Sequence, residues 1–385
     1  MSTRDPTNNR KQAVGALEKR NFINFICDCL LRTHNYKAVT MNDLRGDGDP
    51  QVEPQVSAIC WHLQLRPPPN TAQLPTAASH MGLDCLVMLI RKFYAHLPNV
   101  FMYKNDENIK CEKRNPILGL AWVKIPQDCN TQVVAEWQNA KNTILTSFGG
   151  ASQSASEKSF ETLFNSDLLH ETIWYRYQFQ LYKAWLVSSS TPGYSWDELE
   201  LTSREMFNES LIIIDRNKTP DESFQKCIND QFGYRRLNDG TQVVCVGQSP
   251  AFIRIRYTTN QDLDPIPFSS IKNVYIPIIE LQGSTPTVSK KKHLYTLIAV
   301  VWLDSDLMRT YTPLGCNITP SPLNAIFGSN EWSLEDRAQR NFMLFYLLCD
   351  EHMYPDIGYP EFKKFVPGQE PPVDIWKIAQ EALVG

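Results

Sequence analysis

Cys85 and His293 are the two residues whose types and settings could do chemistry. A cysteine thiolate is a strong nucleophile, and an imidazole takes up a proton near neutral pH. A cysteine–histidine pair is therefore the smallest apparatus that breaks an acyl bond. Cys85 stands in Gly82-Leu83-Asp84-Cys85-Leu86, where a helical pattern begins. His293 follows Lys290, Lys291 and Lys292 and opens the apolar run from Leu294 to Trp302. A continuous, β-branched run of this kind reads as a strand covered on both faces, so His293 is expected at the end of a charged loop, at the mouth of a buried strand. The next predicted strand, 307–312, offers Thr312 to orient the imidazole, and Asp304 and Asp306 fall in the turn between the two strands. Threonine orients an imidazole poorly and brings no charge. The third member of a triad is thus not identified, Thr312 and Asp304 being the alternatives.

Each of these residues also has an ordinary structural reading. Leu83, Leu86, Val87, Ile90, Phe93, Tyr94 and Leu97 form one stripe at the 3.6-residue period, and Cys85 falls nearly opposite it. Asp84 as the N-cap puts Cys85 in the first turn, pointing away from the core. A neighbouring aspartate disfavours the thiolate, so an inert thiol is the alternative to a nucleophile. His293 after three lysines is otherwise a solvated loop residue. His80 precedes the helix closely enough to approach Cys85, and His34, His62, His96, His170 and His352 have no metal-ligand spacing. Arg254 and Arg256 share one face of a predicted strand and are expected to pair with acidic groups, an anion-binding role being the alternative.

The elements that must position these groups come in two textures. Helices are predicted over 18–32, 54–65, 82–97, 131–148 and 158–169, with turn-rich residues at 43–53 and a proline-led linker from Pro67 to about residue 79. Strands are predicted over 173–188, 199–202, 209–214, 241–246, 251–257, 274–281, 294–302 and 307–312, interrupted by a short helix over 219–232. A last helix is predicted over 333–349, capped by Ser333, with Phe342, Phe345, Tyr346 and Cys349 on one stripe. Helices first and strands later is an α+β order, with no internal repeat. The expected organisation is a disordered tail over 1–17, a helical extension over 18–75 and one large domain over 76–385.

Composition narrows the function classes. With 385 residues, 42% hydrophobic and 21% charged, the chain has enough apolar material for a sizeable core. Its net charge is −4, and the only dense basic cluster is Lys290 to Lys292, which argues against a nucleic-acid partner. No apolar run approaches the ~20 residues of a membrane span, and 1–17 lacks the apolar centre of a signal peptide. An intracellular location, cytoplasm or nucleus, with no membrane partner is expected. The ten cysteines are scattered through apolar contexts and read as reduced core thiols, with Cys27 and Cys29 too close for a zinc pair. No metal and no cofactor are expected.

The order of parts resembles the ubiquitin-specific peptidase domain, a papain-like cysteine peptidase fold. The resemblance lies in Gly82 to Leu86 at a helix start, Asp221 to Phe232 as a short helix, Ser249 to Tyr257 as a proline-led strand and Tyr295 to Val301 as a tyrosine-led strand. Together these cover roughly residues 80 to 315 in the family's order. The chain also resembles proteins of filamentous fungi. The resemblance implies a central helix opened by Cys85, packed on a C-terminal, mainly antiparallel sheet. The departures are specific: Leu86 follows Cys85 where the family has an aromatic residue, no asparagine precedes it to hold the oxyanion, and 302–311 contains no histidine. The family's base is missing on that alignment, and His293 is the substitute. The implied function is a catalytically degenerate relative that binds ubiquitin, a ubiquitin-like modifier or another polypeptide. The alternatives are an active thiol peptidase using Cys85 and His293, and a structural or interaction protein without a cleft function.

Overall fold

The computed structural model describes residues 43–46, 53–65, 80–125, 131–149, 159–188, 196–199, 201–236, 242–247, 249–282, 285–311 and 332–349. The predicted helix over 18–32 and the tail over 1–17 lie outside them. The described residues fall into two compact units, one comprising 43–65 and 86–149 and the other 80–85 and 159–349.

The first unit is helical. Its helices are α1 (Glu53–Leu65), most of α2 (Met81–His96), α3 (Asp106–Arg114), α4 (Pro116–Ala121) and α5 (Thr131–Gly149). The α3 ends follow from local chemistry. The Asn105 side chain accepts the Asn108 N–H at 2.7 Å, acidic residues fill the first turn, and Lys113 and Arg114 fill the last. Asn115 then caps α4, whose first residue is Pro116, a position where no N–H is needed. Arg91 ties three segments together: it is fully buried and donates to the carbonyls of Ala121 at 2.8 Å, Val123 at 3.0 Å and His62 at 2.9 Å.

The second unit is α+β. Four strands, β1 (Tyr182–Ser188), β2 (Trp196–Leu199), β4 (Gly233–Arg236) and β5 (Gln242–Gly247), form an antiparallel sheet in the order β2-β1-β5-β4. A mixed sheet follows the order β3-β6-β10-β8-β7, with β9 beside β8. Its strands are β3 (Leu211–Asp215), β6 (Phe252–Thr258), β7 (Asn273–Gln282), β8 (Thr285–Trp302), β9 (Leu307–Thr310) and β10 (Asn341–Cys349). Only β3 runs parallel to its neighbour. One face of this sheet carries Ile212, Ile255, Leu344, Leu297, Val300 and Val274, packed on Phe224 and Ile228 of α8 (Phe224–Asn229) and Ile271 of α9 (Phe268–Lys272). The other face of β6 meets an aromatic layer, where Trp174 stacks on Phe207 and Phe164 lies tilted against both.

Several sequence expectations are corrected. Residues 341–349 are the strand β10, not the end of a helix. The strand lies between β6 and β8 and is covered on both faces, which is what the unbroken run Phe342 to Leu348 supplies. The predicted strand over 173–188 is helical as far as Phe179 and extended only from Tyr182. Residues 203–209, taken as connection and strand, form a helix (Ser203–Glu209) whose N-terminus is a capping box between Thr202 and Glu205. The helix predicted over 219–232 is the shorter α8, capped by Ser223. Finally, β8 begins at Thr285, so Lys290 to His293 is strand rather than a charged loop, with Lys292 and His293 paired to Pro277 and Ile276 of β7.

The sheet is curled, and α8 spans its opening. The main strand path ends in β3 and β7, and the same short segment reaches both with a glutamine amide that imitates a neighbouring strand. Gln231 accepts the Ile213 N–H at 3.2 Å and donates to the Ile213 carbonyl at 2.9 Å. Gln225 accepts the Tyr275 N–H at 2.8 Å and donates to the Tyr275 carbonyl at 2.7 Å. Pro277, farther along β7, has no N–H to satisfy. An exposed edge with unpaired main-chain groups invites pairing with another chain, and each amide occupies the main-chain groups of one edge residue, Ile213 on β3 and Tyr275 on β7. Gln225→Leu and Gln231→Leu are each expected to cost about 1 kcal/mol in urea denaturation, since water replaces part of each lost bond. The double variant is expected to self-associate in light scattering. A double variant that stays monomeric at wild-type stability would show that the amides do not guard the edges.

Candidate functional site

Cys85 lies in the second turn of α2, not the first, because the helix starts at Met81 and Asp84 is an interior residue rather than its cap. The side chain does not point away from the protein's interior: Cys85 has 0% exposure. Its Sγ donates to the main-chain carbonyl of Asp306 at 3.0 Å. That carbonyl is available because Asp306 closes the β8–β9 turn in the left-handed region, at φ 51°, which aspartate tolerates better than most residues. The Asp306 carboxylate oxygen accepts the N–H of Phe160 at 2.9 Å, at the start of α6 (Phe160–Phe164). Asp306 thus holds the start of one helix with its carbonyl and the start of another with its side chain.

The electrostatics of this point oppose a thiolate. Burial pushes the Cys85 thiol well above its ordinary range, and the nearby Asp306 and Asp84 push it further the same way. Burial also raises the Asp306 carboxyl to about 6, with Glu161 adding to the rise and the Phe160 N–H opposing it. A thiolate here is a buried anion beside two acidic groups, with a cost of several kcal/mol. The protonated thiol makes one hydrogen bond instead.

His293 is placed elsewhere. It pairs with Ile276 near the middle of β8, whereas the turn that meets Cys85 follows Trp302 at the strand's end. From His293 to Trp302 the strand covers roughly 30 Å at ~3.3 Å per residue. The imidazole is half-buried, and burial lowers its pKa. Asp304 is engaged in the turn: it accepts Trp302 Nε1 at 3.1 Å, the Asn341 N–H at 2.9 Å and Asn341 Nδ2 at 3.1 Å. Thr312 lies outside the described residues. The structure therefore brings Cys85 together with Asp306, a residue that sequence reasoning assigned only to a turn, while Asp304 bonds Trp302 and Asn341 and His293 stands opposite Ile276.

Cys85, Cys111, Cys227, Cys245 and Cys349 are buried thiols. Among the described residues no cluster of three His, Cys, Asp or Glu side chains is placed to hold a metal ion, and no helix is long and apolar enough to cross a membrane. No protein-family model and no curated protein matches the chain. Among solved structures, the apo Pan2 pseudoubiquitin hydrolase–RNA exonuclease module of Saccharomyces cerevisiae, in complex with AAGGAA RNA, is similar over 83% of this chain. The match covers 56% of that chain at 8% identity and a TM-score of 0.26, a level at which the likeness carries no argument about function.

Proposed function

We propose that the protein is a catalytically degenerate, ubiquitin-specific-peptidase-like protein that binds ubiquitin, a ubiquitin-like modifier or another polypeptide. The observation that carries this reading is the setting of Cys85, a buried thiol that donates to a main-chain carbonyl and that burial, Asp306 and Asp84 all push away from ionisation. A nucleophilic cysteine needs the reverse: a nearby base or positive field and an open approach. The relationship itself rests on the four stretches of sequence resemblance. These fall on the start of α2, on α8, on β6 after Pro250 and on β8 from Tyr295, in the family's order.

Two measurements separate this reading from an active peptidase and from a structural protein. Ubiquitin carrying a C-terminal thiol-reactive warhead is expected to form no adduct with the wild type. Peptide mapping after alkylation is expected to find Cys85 modified only in denaturant. An adduct that disappears in Cys85→Ala and weakens in His293→Ala would establish a working peptidase and sink the proposal. Binding of unmodified ubiquitin or a ubiquitin-like modifier, equal in wild type and Cys85→Ala, supports the binding reading. Absence of binding to either removes the ubiquitin and ubiquitin-like partners and favours a structural protein or a partner of another kind.

A further inference from the structure

We infer that Arg254, His170 and Arg204 form a binding site for a single phosphate group. Arg254 lies on β6, on the face opposite the inner core formed by Ile253 and Ile255, and is 7% exposed. Its guanidinium carbon sits 3.3 Å from the ring centre of Phe207 and 5.7 Å from that of Phe164. One nitrogen, Nη2, donates to the Phe207 carbonyl, and Nε, also buried, has no hydrogen-bond partner. No carboxylate pairs with this cation among the described residues.

The other arginines show how unusual this is. Arg256, two residues along the same strand, pairs with Glu161 at 2.8 Å. Arg45 pairs with two carboxylates. Arg91, also buried without a carboxylate and, like Arg176, also with a buried Nε that makes no hydrogen bond, donates to three main-chain carbonyls where Arg254 has one. A guanidinium does not shed its proton to escape burial, and a buried charge without a partner is costly. Ring faces offset part of that cost, yet they do not use the Nε–H.

The surroundings of Arg254 carry further donors, and their acidic groups, Asp167 and Glu171, face Arg204 and His170 rather than Arg254. His170 rests edge-on against the same Phe207 ring at 5.6 Å and is half-buried, within electrostatic reach of both Arg254 and Arg204. Arg204, in the first turn of the helix that also supplies Phe207, is exposed and paired with Asp167, itself exposed. Surface pairs of this kind contribute little, so an incoming anion can exchange with Asp167. Glu171 is the remaining acidic group near His170. Two guanidiniums and an imidazole approaching from a strand and two helical segments suit the several oxygens of a phosphate better than the flat pair of a carboxylate.

Thermal denaturation of the full chain in inorganic phosphate, against sodium chloride and sodium acetate at equal ionic strength, tests the site. The expected result is a saturable rise in Tm in phosphate alone. Arg254→Met, which keeps the packing over Phe207 and removes the buried charge, is expected to fold and to lose that response. Arg204→Ala is expected to raise the half-saturating phosphate concentration about tenfold, one charge-assisted hydrogen bond's worth. A Tm that tracks the chloride control, an equal response to acetate, or a phosphate response retained in Arg254→Met would each overturn the site. Should Arg254→Met fail to fold, the double variant His170→Ala/Arg204→Ala decides, because both positions are solvent-accessible and their loss must weaken phosphate binding. Glycerol 2-phosphate distinguishes the source: tighter binding than inorganic phosphate identifies an ester, and equal or weaker binding identifies the free ion.

Discussion

Replacing Arg45 with methionine is expected to cost about 3–5 kcal/mol at neutral pH, one of the two largest single effects in the molecule. Arg45 is 3% exposed, and its guanidinium bonds Asp43 through Nη2 at 2.7 Å and Glu112 through Nη1 at 2.7 Å while lying 4.4 Å over the Trp122 ring. Methionine keeps an apolar stem against Trp122 and removes only the charge. Asp43, 6% exposed, is then left with Lys104 at 3.5 Å as its remaining cation. Burial alone raises the Asp43 carboxyl, but Arg45 and Lys104 outweigh it and hold it below its ordinary value near 3.8. A lowered carboxyl contributes stability above its unfolded pKa and loses that contribution as pH falls through the folded pKa. In the variant, burial is opposed by Lys104 alone, so that contribution shrinks or reverses. The deficit relative to wild type should therefore be greatest at pH 7 and narrow below about pH 4, read as urea midpoints at both values. A deficit independent of pH would mean that packing over Trp122, and not the ion network, is what the substitution removed.

The legible parts of the fold were those in which local chemistry and tertiary packing agree. The stripe on α2 and the β-branched runs of β6, β7 and β8 satisfy both demands, so period and residue type sufficed. The helix Ser203–Glu209 also carries a local signal, Thr202 and Glu205 three residues apart as a capping box, which a reading from apolar pattern alone does not register. What was not legible was anything decided by a distant partner. The Lys290 to His293 stretch looks like a loop by charge, yet pairing with β7 makes it strand. The edge amides Gln225 and Gln231 have no sequence signature, since their role exists only where the sheet curls back to α8.

The site followed the same division. Cys85 stood out for its place at a helix start, and Asp84 was read correctly as an unfavourable neighbour for a thiolate. Its burial was missed because a wheel built on one stripe treats the opposite side as solvent, whereas both sides of α2 are covered near Cys85. Asp306 carried one local signal, an aspartate in a tight turn where a positive φ is tolerated, but nothing local links it to a cysteine in another element. For Arg254 the expectation of an acidic partner held for its neighbour Arg256 and failed for Arg254 itself, and that exception became visible only with side chains in place.

Leu344→Ala is the second large effect, expected to cost about 3–5 kcal/mol, and it also decides between two readings of the same residues. On β10, Leu344 is fully buried, opposite Ile255 on one side and Val300 on the other, and all three belong to the core inside the curled sheet. Truncation opens a cavity that three hydrogen-bonded strands cannot collapse to fill, so the cost includes more than lost transfer free energy. Leu344→Met, nearly equal in volume, should cost less than about 1.5 kcal/mol. A helix over the same segment makes the opposite prediction. With Phe342, Phe345, Tyr346 and Cys349 on its buried stripe, residue 344 falls on the far side, since each residue turns about 100°, and truncation there should cost at most a few tenths of a kcal/mol in helix propensity. Denaturant midpoints of wild type, Leu344→Ala and Leu344→Met therefore read the backbone as well as the core. A large loss for alanine with a small one for methionine requires position 344 to be buried, as the strand places it and the helix does not. Small losses for both would place position 344 at the surface and return the segment to a helix.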